Sequence, residues 1–425
     1  MDDSERSTAG QAVRGPASHA RRRLLAAGGA AGVVAALGMP IPFLANLRRG
    51  LLPIAWGEVA EPDVLASKSG LTVLGDRPIN LEVPPHLLDD EVTPAERLFV
   101  RNNGLVPDVG NATEDTWVVR IDGHVDRTLE LSIADLKREF EPVTLRLQLE
   151  CAGNGRRFFE PRTSGNQWTF GAVGCPAWTG VRLRDVLQRA GLRQSAVYTA
   201  HYGADPHLSG QPDKQPISRG VPVGKALEPH NLLAWGLADG DLPVLNGHPL
   251  RLVIPGWAGS CSQKWLTRIE IRDRVHDGEK MTGEAYRMPG YPVAPGTPVP
   301  HEDMVIIESL PVKSLITAPK TGHRVVPGQT FEVRGHAWAG DLAVAAMHVS
   351  VDFGVTWSEA RLERPANRYA WQRWRVTLEL ERPGYYEVWA RATDTAGAMQ
   401  PPVTPGWNPK GYLNNMQHRI AVFVL

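Results

Sequence analysis

Short runs of alternating apolar and polar residues recur through the last third of the chain, and they constrain the fold more than any other feature. They occupy residues 330–337, 344–352, 356–362, 371–380, 385–392 and 419–424. Alternation with a period of two is typical of strands that bury one face, and turn residues separate the runs. Several short strands of this kind predict a β-sandwich, so we expect residues 306–425 to form a separate domain.

The region before this domain has a mixed pattern. Ser132 precedes apolar residues at helical spacing up to Phe140, and a second helical run at residues 181–190 stops at Gly191. Serine is a favoured helix cap, and glycine commonly ends a helix. Alternating runs surround these helices, which predicts an α+β domain over residues 95–275. The runs predicted to be strands are residues 98–104, 117–123, 143–149, 197–202, 250–256 and 265–271.

Chain length and the content of glycine and proline indicate how the rest of the chain is organised. A chain of 425 residues is long for one hydrophobic core, which favours two domains. The 42 glycines and 35 prolines favour short strands and ordered loops over long helices. Proline-rich sequence predicts an irregular N-terminal arm over residues 46–94. A Pro- and Gly-rich segment at residues 276–305 predicts a linker between the two domains.

Charge and cysteine usage exclude several classes of protein. Lys plus Arg and Asp plus Glu are balanced at 46 each, so no overall positive field is expected to attract nucleic acid. Cys151, Cys175 and Cys261 are too few for a disulfide framework, and the chain contains no CxxC spacing. Because no CxxCH motif occurs either, we expect no haem in this chain.

The N-terminal sequence resembles an export signal. Arg21, Arg22 and Arg23 precede two leucines and an apolar stretch rich in Ala and Gly that continues to about residue 45. A twin arginine before a weakly hydrophobic segment is typical of the Tat pathway, which exports folded proteins. Residues 1–45 are therefore interpreted as a Tat-type signal, and the protein as periplasmic. The alternative is a membrane anchor, but Pro40 and Pro42 disfavour a stable membrane span.

A cysteine follows directly on the strand predicted at residues 143–149. Cys151 opens a loop that contains Gly-Asn-Gly and then Arg156 and Arg157. Neighbouring positive charge stabilises a thiolate, which acts either as a nucleophile or as a ligand for a soft metal. The alternative is a buried, inert cysteine at a strand end. Residues 149–157 are thus the first candidate site.

Five segments together resemble the sulfite oxidase family of molybdenum enzymes. They are FVRNN at 99–103, CAGNGR at 151–156, VIPG at 253–256 with KW at 264–265, VDFGVTW at 351–357 and WNPKGYLNN at 407–415. The segment YGADPHLSG at 202–210 makes the resemblance nearest to bacterial periplasmic sulfite dehydrogenases. The resemblance implies a sulfite-oxidase-type molybdopterin domain followed by an immunoglobulin-like dimerisation domain, in agreement with the two domains expected from the patterns.

The resemblance also implies a molybdenum–molybdopterin cofactor (Moco) and a set of site residues. Cys151 is expected to be the protein thiolate on molybdenum, because soft sulfur suits a metal that changes oxidation state. Arg101 and Arg156 match positions that hold the anionic substrate, a task that suits the planar guanidinium. Arg157 is expected to form a surface salt bridge or to act indirectly, and Lys410 is a candidate to reach the site from the second domain.

A further set of polar residues is expected to bind the pterin and its phosphate-bearing tail. These residues are Asn102, Asn103, Asp205, His207, Arg219, Ser260, Ser262 and Lys264. The segment at residues 260–264 is short, polar and built of small residues, so its backbone N–H groups could approach an anion closely. His207 fits equally well as a loop histidine that binds no ligand.

One departure from the family pattern concerns its catalytic tyrosine. We expect this tyrosine in an Ala-Tyr segment before the strand at residues 250–256, and that segment holds Trp235 here. Indole donates a hydrogen bond but exchanges no proton at working pH, so Tyr202 is the candidate phenol for that task. Trp235 is expected either to border the pocket and donate one hydrogen bond or to be a packing residue.

These implications lead to one function and two alternatives. The expected reaction oxidises sulfite to sulfate and passes electrons to an external c-type cytochrome, within a homodimer. Because of Trp235, the first alternative is a family member that acts on another sulfur compound, such as a sulfoxide or sulfane sulfur. The second alternative, an exported dimeric binding protein without metal, is disfavoured by the presence of Cys151 together with Arg101 and Arg156.

Overall fold

The structure, a computed structural model, describes residue 65 and residues 67–425. The predicted export signal at residues 1–45 and the beginning of the predicted arm at residues 46–64 lie outside the described residues. Within the described part of the chain, no helix is both long and apolar enough to cross a membrane.

The predicted irregular arm contains a hairpin. Strand β1 spans Thr72–Asp76 and pairs antiparallel with β2, Ile79–Glu82, which pairs in turn with β3, Val100–Arg101. The prediction of an irregular segment over residues 46–94 is therefore wrong for this part. The alternation of apolar and polar residues from Ile79 onwards is short and flanked by prolines, which obscured it.

Two sheets form the body of the first domain. Its strands are β4 (Val118–Gly123), β5 (Leu129–Ser132), β6 (Val143–Arg146), β7 (Leu149–Glu150), β8 (Val173–Gly174), β9 (Ala177–Arg182), β10 (Tyr198–Gly203), β11 (Leu232–Leu237), β12 (Gly240–Asp241), β13 (Arg251–Val253) and β14 (Leu266–Arg272). One sheet has the order β10-β14-β4-β5, and the other has the order β12-β11-β9-β6 with β13 beside β11. The β14–β4 pair is parallel, whereas the other pairs of these two sheets are antiparallel.

Helices in the first domain begin and end close to the predicted signals. The two predicted helices are α1 (Ile133–Glu139) and α2 (Leu183–Ala190), and a further short helix, α3 (Val223–Ala226), was not predicted. The Ser132 hydroxyl accepts the Asp135 N–H at 3.0 Å, and the Asp135 carboxylate accepts the Ser132 N–H at 3.0 Å. This capping box stabilises the start of α1. Gly191, with a φ of 75°, ends α2 as predicted. The α+β class is therefore confirmed.

A β-sandwich forms the second domain, as predicted. A short pair, β15 (Arg287–Pro289) and β16 (Met304–Ile306), precedes it. The strands of the sandwich are β17 (Lys313–Ala318), β18 (His323–Val325), β19 (Thr330–Trp338), β20 (Val344–Ser350), β21 (Ser358–Glu359), β22 (Arg361–Leu362), β23 (Gln372–Glu379), β24 (Gly384–Asp394) and β25 (His418–Val424). The sheets β17-β19-β23-β22 and β18-β25-β24-β20-β21 enclose a core that includes Met347, Trp374 and Val388.

The segment predicted to be a linker packs against the first domain instead of simply joining the two domains. Within residues 276–305, Met281 and Tyr286 are buried, and β15 lies in the middle of the segment. Its abundant Pro and Gly break the periodicity that would reveal its contacts in sequence. The segment is therefore part of the packed structure, and Tyr286 places it at the candidate site described below.

A buried lysine joins the two domains. Lys225 on α3 donates to the Asp341 carboxylate at 2.6 Å and to the Tyr369 hydroxyl at 2.9 Å, both in the second domain. It also donates to Glu228 of its own domain at 3.1 Å. Trp257 donates its indole N–H to Asp341 at 2.7 Å. This network fixes one region of contact between the domains.

Replacing Lys225 with methionine should lower the free energy of unfolding by about 3 kcal/mol, because two carboxylates would lose their buried cation. The matched control is Lys137→Met, which removes a cation from the exposed pair with Glu114 and should cost less than about 1 kcal/mol. Urea unfolding of both variants measures the difference. Equal losses would show that the Lys225 network adds no special stability.

Candidate active site around Cys151

Cys151 lies directly after β7, in the wall of a pocket in the first domain. Its backbone N–H donates to the Ala172 carbonyl at 3.0 Å, and its carbonyl accepts the Asn154 N–H at 2.9 Å. The side chain is buried, yet it lines the pocket. The turn therefore holds a thiol where a group bound in the pocket would meet it.

Two glycines shape the loop after Cys151. Gly155 has a φ of 94°, a left-handed conformation that favours glycine, and a Cβ there would lie 2.8 Å from the Cβ of Asn414. A Cβ on Gly153 would lie 2.5 Å from a guanidinium nitrogen of Arg156. The glycines therefore allow Asn414 to approach from the second domain and Arg156 to fold back against the loop.

The two arginines of the loop have different environments. Arg157 is exposed, whereas Arg156 is buried, with its Nε donating to the Lys410 carbonyl at 2.7 Å and its Nη1 to the Asn166 carbonyl at 3.0 Å. Lys410 itself forms an ion pair with Glu284 at 3.0 Å. Arg156 lies beside the Cys151 loop but is not part of the pocket wall.

The carboxylate of Glu150, the residue before Cys151, is buried and receives three hydrogen bonds. Lys313 Nζ and Asn154 Nδ2 donate to Oε1 at 2.6 and 2.9 Å, and Trp338 Nε1 donates to Oε2 at 2.6 Å. Lys313 and Trp338 belong to the second domain, where they are direct partners on β17 and β19. The second domain therefore helps to hold the cysteine loop in position.

Most of the predicted cofactor residues meet at this pocket. Those in its wall are Asn103, Cys151, Asp205, Ser260, Ser262 and Lys264, and Arg101, which was predicted to hold the substrate, lies in the same wall. Asn102 and Arg219 are completely buried and bond to residues close to the pocket. The Asn102 side-chain oxygen accepts a hydrogen bond from Lys264, and Arg219 donates to the Lys280 carbonyl at 3.0 Å.

Positive charge predominates at the pocket. Burial, followed by the charge of Arg251, lowers the pKa of Lys264 well below its usual value. Burial, followed by the charge of Arg101, lowers the pKa of Lys280 to about 8. Burial raises the pKa of the Asp205 carboxyl to about 6, and this carboxyl shares the pocket wall with three basic residues, Arg101, Arg251 and Lys264. Crowded cations that lack enough carboxylate partners favour binding of an anion.

Several buried polar atoms near the pocket have no hydrogen-bond partner in the described chain. They are Asn102 Nδ2, Arg219 Nε, Ser260 Oγ and Gln263 Oε1. Buried polar groups are nearly always hydrogen bonded, so unpaired ones point to a polar ligand. The phosphate of molybdopterin would accept from the donors, and its pterin N–H groups would donate to the amide oxygen. The residues present therefore fit this cofactor.

The structure places Trp235 away from the pocket and corrects its predicted role. Successive side chains of a strand point to opposite faces. On β11, Ala234 packs in the core that contains Cys151, whereas Trp235 packs against the other core of the domain. The Lys137 ammonium lies 5.3 Å from the centre of the Trp235 ring. Trp235 is therefore a packing residue, which was the second expectation for it.

Tyr202 and His207 do not line the pocket either. The Tyr202 hydroxyl donates to the Glu270 carboxylate at 3.0 Å, and the His207 ring bonds to the Ser209 hydroxyl at 2.8 Å. Both side chains have partners within their own neighbourhood. Their predicted roles as a catalytic phenol and a cofactor ligand receive no support from these positions.

The phenol in the pocket wall belongs to Tyr286, which the sequence reasoning missed. Its ring stacks on that of Tyr412, with centroids 5.4 Å apart and planes at 15°. Tyr286 follows Ala285, so it also forms an Ala-Tyr pair, but one that lies in the predicted linker. That pair was the signal that could have identified it.

Three further polar residues of the site were also missed. Lys280, in the same segment as Tyr286, donates to the Asn103 side chain at 3.0 Å. Arg251 and Gln263 line the pocket, and Arg251 donates to the Ser262 carbonyl at 3.1 Å. The signal for Arg251 was a basic residue within an apolar strand, a position that is costly unless the charge has partners.

Comparison with known proteins identifies the family. Residues 103–280 match the model of an oxidoreductase molybdopterin binding domain, and residues 304–424 match that of a Mo-co oxidoreductase dimerisation domain. The sulfite oxidase of Gallus gallus is 34% identical over 362 residues, which are 82% of this chain and 77% of that protein. The chain belongs to the sulfite oxidase family of molybdenum enzymes.

Relatives differ in the substrates that their names state. The mitochondrial sulfite oxidase of Homo sapiens is 32% identical over 83% of this chain and 66% of that protein. The nitrate reductase of Hordeum vulgare is 31% identical over 82% of this chain and 41% of that protein. The sulfane dehydrogenase SoxCD of Paracoccus pantotrophus shares the fold, with a TM-score of 0.68 at 22% identity over 90% of this chain and 96% of that chain. The family is therefore broader than sulfite oxidation.

The protein without its cofactor should become more stable as the pH rises from about 8 to about 10.5. In this window folded Lys280, with its pKa lowered to about 8, has lost a proton that the unfolded chain retains up to its usual pKa of 10.5. Folding therefore releases a proton, and each such lysine adds up to about 1.4 kcal/mol per pH unit. Urea unfolding at several pH values measures the slope.

The control for this pH dependence is the cofactor-loaded protein. The cofactor phosphate should stabilise the charged lysines and flatten the slope, since an opposite charge favours the charged form. Lys280→Met should reduce the slope in the protein without cofactor. A slope that is the same in loaded, unloaded and Lys280→Met proteins would contradict the assignment of these lysines to anion binding.

Replacing Lys313 with methionine should cost about 3 to 5 kcal/mol of stability and lower the molybdenum content, because it leaves the Glu150 carboxylate buried without a cation. The double variant Glu150→Gln with Lys313→Met removes both charges and should recover most of the stability. Urea unfolding and metal analysis give the two readouts. A double variant as unstable as the single one would show that shape, rather than charge pairing, matters at this position.

Proposed function

We propose that this chain is a periplasmic sulfite dehydrogenase that oxidises sulfite to sulfate and passes the electrons to an external c-type cytochrome. One observation carries the proposal: the Cys151 thiol, the Arg101 guanidinium and the Tyr286 phenol share the wall of a single pocket. These groups can bind a soft metal, pair with an oxyanion and donate a hydrogen bond to it, respectively. Membership in the sulfite oxidase family supports the proposal.

When bound, the cofactor supplies the redox chemistry, and the protein supplies binding and orientation. Cys151 would hold the metal through its thiolate. Lys264 and Ser260, with the unpaired amide of Asn102, would hold the anionic tail of the pterin, because charge-assisted hydrogen bonds are strong in a buried site. Arg101 would hold the substrate oxyanion close to Cys151.

Arg101 is oriented for this task by its neighbours. Its guanidinium donates to the Asn103 side-chain oxygen at 2.9 Å and to the Asn102 carbonyl. Both acceptors are neutral, so they position the guanidinium without cancelling its charge. Tyr286 lies in the segment of residues 276–305, which packs against the first domain. Its hydroxyl would donate a hydrogen bond to a substrate oxygen.

A second candidate function is oxidation of another sulfur compound, such as sulfane sulfur. Trp235 no longer motivates it, because that side chain lies away from the pocket. What favours it is the small number of free cations beside Arg101 on the substrate side: Arg156 is not in the pocket wall, and Lys410 pairs with Glu284. A less anionic substrate needs fewer cations.

We also propose export through the Tat pathway and a homodimer. Export rests on the twin-arginine segment at residues 21–25. The dimer is supported by the match of residues 304–424 to a dimerisation domain. The electron acceptor would be a separate protein, a proposal supported by the absence of a CxxCH motif from the sequence.

Sulfite-dependent reduction of cytochrome c by the molybdenum-loaded protein is the direct test of the proposed reaction. Cys151→Ser should abolish turnover and reduce molybdenum well below about one atom per chain, because a hydroxyl is a poor ligand for a soft site. Cys175→Ala is the matched control: Cys175 is buried outside the pocket wall and should be dispensable.

The outcomes separate the candidate functions. Turnover with sulfite but not with thiosulfate or a sulfoxide supports the first proposal. Turnover with one of the other compounds alone would replace it with the second. Fully loaded protein that retains sulfite oxidation after Cys151→Ser would refute the role of Cys151.

A further inference from the structure

A lysine that precedes β1 contacts a residue of the pocket wall. The Lys68 ammonium donates to the Asn246 side-chain oxygen at 2.5 Å and to the Ala95 carbonyl at 2.6 Å. Asn246 is buried and lines the pocket, whereas Lys68 is half-buried and does not line it. Any effect of Lys68 on the shape of the pocket therefore passes through Asn246.

The chain around Lys68 is attached to the first domain by two further contacts. We call residues 67–71 the docking segment. The Ser69 N–H donates to the Glu96 carbonyl at 3.2 Å, and Leu71 packs against an apolar cluster that includes Leu245. The docking segment thus lies against the loop that supplies Asn246 to the pocket.

The hydrogen bond from Lys68 determines how the Asn246 amide is oriented. An ammonium group only donates, so it must meet the amide oxygen. The amide nitrogen of Asn246 then donates to the Phe99 carbonyl at 3.0 Å. Phe99 also lines the pocket and directly precedes β3, the strand that contains Arg101. Lys68 therefore fixes a side chain that joins two parts of the pocket wall.

Three cations meet neutral acceptors at this loop. Besides Lys68, Lys264 donates to the carbonyl of residue 245 at 2.9 Å, and Arg251 donates to the carbonyl of residue 246 at 2.7 Å. Burial lowers the pKa of Lys68 to about 7, so the protein alone stabilises its charge poorly. An anion in the pocket would favour the charged forms of all three groups.

We propose that Lys68 is a positioning residue of the cofactor site, which holds Asn246 so that the pocket keeps the shape that its anionic cofactor needs. Lys68 precedes the molybdopterin binding domain matched at residues 103–280. Coupling between two sites is reciprocal, so the bound cofactor would in turn hold the docking segment in place. The inference rests on the cofactor and not on the identity of the substrate.

The test is the rate at which the loaded, full-length protein loses molybdenum, followed by gel filtration and metal analysis. Lys68→Met should lose molybdenum about tenfold faster or more, because it removes a charged hydrogen bond from the pocket wall. Lys225→Met is the matched control. It also removes a buried lysine and stability, but the partners of Lys225 lie outside the pocket wall, so the rate should change less than about twofold.

A double-variant comparison tests whether Lys68 acts through Asn246. Asn246→Ala alone should also speed the loss of molybdenum, and adding Lys68→Met should then change the rate by less than about twofold. Lys68→Met that is no faster than Lys225→Met would overturn the proposal. The same tenfold effect of Lys68→Met in both backgrounds would overturn it as well, since Asn246 would not transmit the effect.

Hydrogen exchange of the unaltered protein needs no variant and decides if Lys68→Met does not fold. The Ser69 amide should exchange about tenfold more slowly in the loaded protein than in the protein without cofactor, because the cofactor stabilises the docking segment by the same factor. Equal exchange in the two forms would overturn the proposal.

Failure of this inference is distinguishable from failure of the proposed function. A protein that oxidises no sulfite yet shows the expected rates of molybdenum loss would retain the role of Lys68 and lose the sulfite dehydrogenase assignment. A protein that oxidises sulfite, but whose Lys68→Met variant keeps molybdenum as well as Lys225→Met does, would retain the function and lose this role of Lys68.

Discussion

The buried ion pair between Glu150 and Lys313 is the interaction on which the candidate site depends. Glu150 precedes Cys151 in the chain, and its carboxylate receives Lys313 and Trp338 from the second domain. A buried charge is tolerated only when it is paired and hydrogen bonded, so this carboxylate can occupy its place only when the domains are joined. The position of the thiol is therefore a property of both domains, although the pocket belongs to the first.

The pocket has the opposite electrostatic character, because its cations are incompletely neutralised. Burial shifts the pKa of Lys264, Lys280 and Asp205 in the directions that reduce charge, which means that the protein alone solvates these groups poorly. An anionic cofactor resolves this conflict. The paired charge of Glu150 holds the Cys151 loop in position, whereas the unpaired cations of the pocket attract an anionic ligand.

Much of the fold could be predicted because local signals agreed with the tertiary structure. Ser132 and Gly191 mark helix ends through backbone chemistry that acts within a few residues. The alternation of apolar and polar residues over 344–352 correctly predicted a strand with one buried face. The hairpin at residues 72–82 escaped notice, because prolines interrupt its pattern and its pairing partner β3 lies further along the chain.

The site was less predictable, since it depends on which face of a strand points inward. Trp235 lies in the segment where the family pattern predicts a pocket residue, yet its side chain packs on the face of β11 that is turned away from the core containing Cys151. Tyr286 and Lys280 lie in a Pro- and Gly-rich segment whose periodicity carries no information, and long-range packing brings them to the pocket. Cys151 was identifiable because strand, loop and basic residues adjoin in sequence.

Residues 407–415 support the loop that carries Cys151, but they are synthesised late. This segment supplies the Lys410 carbonyl to Arg156, the Leu413 N–H to the Ala152 carbonyl, and the Asn414 amide to the Gly155 carbonyl. It follows the first domain and nearly all of the sandwich in the chain. During synthesis, the loop that carries Cys151 therefore emerges from the ribosome long before its last supports exist. A nascent chain that ends before residue 407 contains the pocket residues of the first domain but lacks these supporting hydrogen bonds. Cofactor binding by a complete site therefore requires that both domains have been synthesised and folded.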